Sequence, residues 1–518
     1  MLSFASESAS ANTASSFIAE LLIISAVALT CKFVRLPYTV ALVAVGLLLG
    51  LSRSYFHLEV QLTPDLLFVV LLPALLFEAA IHLSFAVVRK NLVPILLLAV
   101  PGMLITALVV GYTLHYALGL ALLPALIFGA LISSTDPISV LAIFKQLKAP
   151  KDLAVIVEGE SLLNDGAAVV LFNLLLLATV GHDISMASGL GMFLREALGG
   201  LAIGTSLGWL AWRIHESIDD NFIEVTLSTI LAYGSYLTAQ HFHASGVIAV
   251  IAAGLVYGNV AVQRGMSVNT RLMLVNTWEY LGFICNSMVF LLIGTQVDLT
   301  RLYTQAGPIL LAFLVVLAAR GLAMLVLSPL TRVPWRWQMI VFWSGLRGSI
   351  AMALAMALVI PEREQILLLT FGVVLLSVFV QGLTITPLMG ALGIGLLKAP
   401  LADYELRLGE LIANERALSV LDARKERYHI QEEVYLRVAT PLRESIARLR
   451  KELEATCRGS EVVDEQVRDA HHLVQNAQQW GLREALTQGL ISEEIFVKLK
   501  ERITPPESEV HEEELPPA

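Results

Sequence analysis

About thirteen segments of the chain are apolar and are candidates to cross a lipid bilayer as a helix, although the second of them is short. A spanning helix needs about 20 predominantly apolar residues. A window of that length marks the ranges 15–34, 37–52, 64–83, 92–117, 119–146, 152–181, 188–214, 224–241, 244–262, 272–296, 306–330, 336–360 and 364–397. The composition, 56% hydrophobic and 15% charged residues, also lies outside ordinary globular usage. The sequence therefore predicts an all-α membrane protein, because in lipid each backbone polar group must be satisfied within the protein.

The basic residues of the connecting loops are distributed unequally between the two sides of the membrane. One set of alternate loops carries Lys32, Arg35, Arg89, Lys90, Lys145, Lys148, Lys151, Arg213, Arg264, Arg271, Arg332 and Arg336, and the other carries Arg53, Arg301 and Arg363. Since cytoplasmic loops are rich in Lys and Arg, the first set is predicted to face the cytoplasm from the cell (inner) membrane. An odd number of spans then places the N-terminal segment, residues 1–14, outside the cell and the C-terminal tail inside.

Two of the predicted spans contain residues that interrupt helices. Span five carries Ser133-Ser134-Thr135-Asp136-Pro137, in which the proline cannot donate a backbone hydrogen bond and the residues before it favour helix caps. Span twelve carries Ser344-Gly345-Leu346-Arg347-Gly348-Ser349, with two glycines beside an arginine. The two spans are seven apart, which predicts two inverted six-helix repeats joined by span seven. Matched broken helices indicate a transport site near the midplane of the membrane.

Span six carries an acidic run, Glu158-Gly159-Glu160-Ser161-Leu162-Leu163-Asn164-Asp165. An ionisable side chain near the bilayer centre costs roughly 2.5–3.5 kcal/mol on insertion scales, and such residues usually mark an ion or proton path. Glu160 and Asn164 are four residues apart, as are Ser161 and Asp165, so we expect all four on one helix face. They are candidates to line a single site.

The charges near the helix breaks are expected to stabilise the ends of the half-helices. Asp136 and Arg347 suit those roles, because half-helix ends carry partial charges that lipid cannot solvate. Glu160 needs a cationic partner, since an unpaired carboxylate in this setting would take up a proton or destabilise the fold. Arg347 is the first choice for that partner, and Arg320 in span eleven is the second.

Four motifs together resemble those of the monovalent cation/proton antiporter family 1. They are Leu72-Pro73-Ala74-Leu75-Leu76-Phe77-Glu78, Thr135-Asp136-Pro137, the acidic run with Gly166, and Gly345-Leu346-Arg347-Gly348. That family includes bacterial sodium/proton antiporters of the NhaP type and is related to animal sodium/proton exchangers and plant salt-tolerance antiporters. The similarity covers roughly residues 20 to 395.

This resemblance implies a thirteen-helix fold that works as a homodimer by alternating access. By position, Asp165 would carry the cation and the proton, with Ser161, Asp136 and the carbonyl of Thr135 completing the cation site. Glu78 would be either a water-mediated ligand or a helix-packing partner, for instance of Arg320. Glu160 would pair with Arg347 in such proteins. Asn164 stands where electrogenic relatives carry a second aspartate, so the resemblance implies electroneutral exchange.

The chemistry of a buried carboxylate agrees with this interpretation. A proton and a cation can compete for a carboxylate in a low-dielectric cavity, and oxygen ligands suit a hard alkali cation. Selectivity among Na⁺, K⁺ and Li⁺ stays open. A symporter for an organic solute and a membrane-bound sensor are the rival classes. We expect no cofactor, no enzymatic activity and no nucleic-acid partner, and only cations, protons, lipid and a second copy as partners.

The tail differs in composition from the rest of the chain. Leucine and isoleucine residues recur at helical spacing in residues 398–503 among Glu, Arg and Lys, which predicts amphipathic cytoplasmic helices. They would form a small helical bundle or pack on a partner protomer, and regulation of transport is a further hypothesis. The final residues, 504–518, are acidic and proline-bearing and are predicted to be disordered.

Overall fold

The computed structural model describes two compact units, Met1–Gly395 and Leu396–Ala518. The described residues are 2–33, 37–51, 63–147, 149–179, 186–215, 220–262, 266, 268–296, 299–394, 399–428 and 431–456, with isolated positions from 474 to 499. Within these ranges the chain is helical or forms short connections, and no strand occurs. The end predicted to be disordered, 504–518, lies outside the described residues.

The first unit consists of helices that follow the apolar segments of the sequence. They are α1 (Leu2–Phe33), α2 (Tyr38–Leu51), α3 (Leu66–His82), α4 (Phe85–Lys90), α5 (Leu92–Leu118), α6 (Leu122–Ser133), α7 (Ile138–Leu147), α8 (Lys151–Thr179), α9 (Met186–His215), α10 (Asn221–His241), α11 (Gly246–Val262), α12 (Val268–Gln296), α13 (Leu299–Thr304), α14 (Ala306–Thr331), α15 (Trp335–Trp343), α16 (Ser349–Met356) and α17 (Arg363–Leu392). Within the described ranges, five helices are long and apolar enough to cross a membrane: α5, α8, residues Thr270–Gln296 of α12, α14 and α17. The all-α prediction is confirmed, and the count of thirteen spans stays a prediction.

Both predicted helix breaks occur. The chain leaves helical structure between Ser133 and Ile138, and again between Trp343 and Ser349. The two interruptions contact each other, because the backbone N–H of Asp136 donates to the carbonyl oxygen of Leu346 over 2.8 Å. Their contact is what brings residues of distant helices to one place inside the unit.

A close approach at the crossing requires glycine. A Cβ atom on Gly348 would overlap the side chain of Asp136, and one on Gly345 would overlap the guanidinium of Arg320. Neither glycine has a positive φ among the described backbone angles, so space rather than backbone conformation explains the residue type. Small residues let membrane helices and their interruptions pack closely.

Four of the long helices contain a wider, π-helical turn: Leu66–Leu71, Leu98–Gly102, Gly258–Val262 and Ser377–Gln381. The last of these lies against the second break. The backbone N–H of Arg347 donates to Ser377 Oγ over 3.1 Å, and Gln381 Nε2 donates to the carbonyl of Trp343 over 3.2 Å. This turn of α17 therefore supplies hydrogen-bond partners to backbone groups that the break leaves unpaired.

The second unit contains a helical hairpin of α18 (Ala399–Tyr428) and α19 (Glu432–Thr456). Tyr435 Oη donates to Asp422 Oδ1 over 2.6 Å, and Asn414 Nδ2 donates to Ser445 Oγ over 3.2 Å, so the helices run antiparallel. The apolar side chains buried along α19 are Tyr435, Ala439, Ile446, Leu449 and Leu453. The amphipathic spacing in the sequence accounts for this buried stripe.

Candidate cation site

Helix α8 carries the acidic run into the interior of the first unit. Glu160, Ser161, Asn164 and Asp165 are 2%, 2%, 1% and 7% exposed. The expectation that all four line one site needs correction, because Glu160 faces α14 whereas the other three face the first helix break. At 3.6 residues per turn, positions five apart are separated by about 140° around the axis. Ser161 and Asp165 therefore share a face as their spacing predicts, and Asn164 joins them at the break, whereas Glu160 is directed to a different neighbour.

Side chains of α8 satisfy polar groups in the first break. Ser134 Oγ donates to Asp165 Oδ1 over 2.6 Å. Ser161 Oγ lies 3.0 Å from the carbonyl oxygen of Thr135 and 2.7 Å from its Oγ1. Asn164 Nδ2 donates to the carbonyl oxygen of Ser133 over 2.9 Å. These contacts supply partners for carbonyl groups at the end of α6, which has no following turn to pair them.

Asp136 has one engaged carboxylate oxygen and one free one. Its Oδ1 accepts from the backbone N–H of Ile138 over 3.0 Å, so it caps the start of α7. Its Oδ2 is buried without a hydrogen-bond partner among the described residues. A buried acceptor without a donor is costly, and a cation or a proton would satisfy it. Capping and cation binding are thus compatible at this residue.

Arg347 lies at the crossing of the two breaks and is 2% exposed. Its Nη1 donates to the carbonyl oxygens of Ser133 over 2.8 Å and Ser134 over 3.1 Å. Both carbonyls belong to the end of α6, where the helix dipole is negative. The expectation that Arg347 stabilises a half-helix end agrees with these contacts.

The first choice of partner for Glu160 was wrong. Arg320 of α14 forms the ion pair, with Nη1 3.2 Å from Oε1 and Nη2 3.2 Å from Oε2. The same guanidinium donates to the carbonyls of Val341 over 2.8 Å and Phe342 over 3.2 Å. Arg347 is directed at α6 instead, and an arginine fork that binds a carboxylate in a bidentate manner must approach it in plane. Sequence spacing contains no information on that approach.

A cavity of about 520 Å³ connects the site with exposed residues at the start of α8. It is lined by Leu72, Leu75, Leu76, Glu78, Ala79, His82, Ser134, Thr135, Asp136, Pro137, Ile138, Leu141, Ala142, Phe144, Lys145, Ala149, Lys151, Ala154, Glu158, Ser161, Leu162, Asp165, Gly348, Ser349 and Ile350. Lys145 and Lys151 are exposed, whereas Asp136 and Asp165 are buried. The cavity therefore extends from the surface to the two buried aspartates.

Glu78 lies on the wall of this cavity rather than beside Arg320. Its Oε1 is 3.6 Å from Nδ1 of His82, and the side chain is 27% exposed. The suggestion that it packs with Arg320 is therefore wrong, because Arg320 binds Glu160. A position on the cavity wall is compatible with contact to a cation through water.

Ser134 lies in the first break, and the sequence gives no indication of its role in the site. Its hydroxyl donates to Asp165, and its carbonyl accepts from Arg347. Ser377 and Gln381 of α17 were also missed, since their contacts with the second break depend on a π-helical turn. In the described part of the chain, no group of three or more His, Cys, Asp or Glu residues could hold a metal ion. The donors around Asp165 are hydroxyl, carbonyl and carboxylate oxygens, which suit hard cations.

Comparisons with known proteins give consistent results. The family described as "Sodium/hydrogen exchanger, transmembrane" matches residues 20–391. The Na(+)/H(+) antiporter NhaG of Bacillus atrophaeus is 38% identical over 443 residues, which cover 83% of this chain and 84% of NhaG. The Na(+)/H(+) antiporter NhaP of Pseudomonas aeruginosa is 37% identical over 391 residues, 69% of this chain and 92% of that protein.

The structure of the sodium proton antiporter MjNhaP1 from Methanocaldococcus jannaschii at pH 8 matches with a TM-score of 0.62 and 20% identity. The match covers 73% of this chain and 98% of MjNhaP1. At that identity the likeness shows that the two proteins share a fold. The relatives named here are transporters, not enzymes.

Proposed function

The chain belongs to the sodium/hydrogen exchanger family, and from this premise we propose that it exchanges Na⁺ for H⁺ across a cell membrane. It is a multi-pass membrane protein, since its family is membrane-embedded and several of its helices are long and apolar. The proposed orientation has the N-terminus outside and the tail in the cytoplasm, on the basis of the excess of basic residues in one set of loops.

One observation carries the proposal: a buried carboxylate, Asp165, lies at the inner end of a cavity beside the first helix break. A buried charge is costly without a counter-ion. The carboxylate therefore binds either a proton or a cation, and the two compete. Loading by one releases the other, which is the coupling that an antiporter needs.

The cation ligands would be Asp165, Asp136, Ser161 and the carbonyl of Thr135. Asp136 supports the assignment because its Oδ2 has no partner among the described residues. The Ser161 hydroxyl, now directed at Thr135, can turn its lone pairs to a cation when one binds. Glu78 would act through water from the cavity wall.

Exchange would be electroneutral. The residue next to Asp165, Asn164, has an amide side chain that does not titrate and that donates to the carbonyl of Ser133. Glu160 is neutralised by Arg320 in a buried pair, so neither would exchange a proton during transport. One proton then replaces one monovalent cation. Alternating access would move the crossed breaks between the two sides, and the working unit would be a homodimer.

The test is transport by the purified protein in liposomes that contain a pH-sensitive dye. Addition of NaCl outside should alkalinise the lumen, because Na⁺ enters in exchange for H⁺ that leaves, and LiCl and KCl measure selectivity. Clamping the membrane potential with K⁺ and valinomycin should leave the Na⁺-driven rate unchanged. A rate that follows the potential would contradict electroneutrality, and no cation-driven pH change would contradict the proposed function.

A further inference from the structure

Glu158 belongs to the acidic run but has no part in the site described above. It lines the same cavity as Asp165 and is partly exposed. In the described part of the chain it forms no hydrogen bond or ion pair. A carboxylate in a membrane-spanning helix is costly unless it faces a polar path, and packing does not explain this one.

Glu158 lies halfway along the part of α8 that lines the cavity. Lys151, Glu158 and Asp165 all line the cavity and follow one another at intervals of seven residues, which is nearly two helical turns. At 1.5 Å per residue, Glu158 is about 10 Å from the exposed start of α8 and about 10 Å from Asp165. It therefore lies midway along the route that a cation would take to the site.

Other charged groups face this part of the cavity. Glu78 and Lys145 are near enough for their charges to act on Glu158, and His82 and Lys151 also line the wall. At the inner end, Asp136 Oδ2 has no hydrogen-bond partner among the described residues, so it is a second oxygen that could bind a cation. The charged lining is mixed but mostly acidic, with Glu78, Asp136, Glu158 and Asp165 against Lys145 and Lys151. An excess of negative charge in a cleft raises the local concentration of cations.

We infer that Glu158, together with Glu78, forms an entry position at which a partly hydrated monovalent cation pauses before it reaches Asp165. This inference rests on the proposed function. Two binding positions in series allow a cation to enter without being held too strongly to leave. Glu158 is thus a positioning residue for capture of the cation, and it does not itself exchange the transported proton.

The test is Na⁺-dependent proton movement in everted membrane vesicles, in which the predicted cytoplasmic mouth faces the added Na⁺. Glu158→Gln should raise the half-saturating Na⁺ concentration by about threefold to tenfold, because a charge about 10 Å away no longer attracts the cation. The maximal rate at saturating Na⁺ should stay within about twofold of the wild type, because Asp165 is intact. Glu158→Asp, which keeps the charge, should restore most of the affinity.

Asp152→Asn is the matched control, since Asp152 is on the same helix but bonds to Lys90 and Asn91 outside the cavity lining. It should leave the half-saturating concentration unchanged. Lys145→Gln is a second variant, at an exposed residue of the cavity wall. It should lower the half-saturating concentration, because it removes a positive charge that opposes entry. The Lys145→Gln variant still tests the inference if Glu158→Gln fails to fold.

An unchanged half-saturating concentration in Glu158→Gln, or a fall in maximal rate alone, would overturn the inference. So would an unchanged or raised concentration in Lys145→Gln where Glu158→Gln cannot be measured. Asp165→Asn separates these failures from a failure of the proposed function. If that variant is inactive while Glu158→Gln behaves as the wild type, only the entry position is refuted.

Discussion

At the scale of residues, the polar side chains of the membrane unit form two groups with different tasks. Asp165 and Asp136 retain oxygens that face a cavity. Glu160 and Arg320 neutralise each other away from it. A buried ion pair is weak evidence for stability, but removal of one partner leaves an uncompensated charge. The two groups should therefore respond differently to neutral substitutions.

Asp165→Asn should abolish Na⁺-driven proton exchange and leave the protein folded. The amide has nearly the same shape, can still accept from Ser134, and cannot take up a proton or neutralise a cation. The rate in liposomes should fall to that of protein-free vesicles, with an unchanged elution profile in detergent. Robust proton-coupled transport by this variant would refute the assignment of Asp165.

Arg320→Gln should destabilise the protein by about 3–5 kcal/mol, because Glu160 is then buried without a counter-charge. Glu160→Gln combined with Arg320→Gln should recover part of the loss, with a coupling of about 0.5–3 kcal/mol. The free energy of unfolding, measured in detergent for each variant, gives both the destabilisation and the coupling. The matched cycle of Glu160 with Arg347 should show the smaller coupling, and the reverse order would contradict the pairing seen in the structure.

At the scale of elements, the crossing of two broken helices creates the site. Each break ends a half-helix, and the backbone N–H of Asp136 in the first break donates to the carbonyl of Leu346 in the second. Arg347 crosses to the end of α6. The half-helices are short, so most of their stability must come from packing rather than from helix propensity. Close packing at the crossing is therefore essential.

Gly348→Ala should impair both folding and exchange. The added Cβ would overlap the side chain of Asp136, and overpacking typically costs about 1–3 kcal/mol. Gly390→Ala is the control, because Gly390 is on the surface of α17 with no other atom within 4 Å of a Cβ. That change should be neutral or stabilising by up to about 1 kcal/mol. Equal stability and activity for both variants would show that the crossing tolerates a methyl group.

At the scale of the whole molecule, the chain consists of a membrane unit and a helical tail unit, and each has its own internal contacts. The cavity, both aspartates and both arginines belong to Met1–Gly395. The tail hairpin has its own buried stripe of apolar residues along α19. The size of the tail and its attachment in sequence to the last predicted span motivate the hypothesis that it regulates transport.

Truncation after residue 405 should leave a membrane unit that folds and exchanges Na⁺ for H⁺, because every proposed ligand is retained. The rate should be measured in liposomes across a range of pH values beside the full chain. A changed pH profile supports regulation by the tail, and an unchanged rate and profile removes that hypothesis. Loss of all exchange from a folded, truncated protein would contradict the independence of the membrane unit.

The amino-acid sequence by itself determined the helical class, the two helix breaks and the identity of the buried acids. Those features are local: apolar length specifies a spanning helix, Pro137 and the glycines interrupt one, and a carboxylate in such a segment is costly unless it faces a polar path. The four motifs then indicated that the chain is related to cation/proton antiporters, and the comparisons confirm this relationship.

Only the tertiary structure decided which side chains meet. Arg320 rather than Arg347 reaches Glu160, Ser134 meets Asp165, and Glu160 turns away from the cavity. These contacts join residues 31 to 160 positions apart. They depend on how each helix is rotated about its axis and how closely neighbours approach. Packing sets that rotation, because lipid offers no polar partner that would favour one orientation over another.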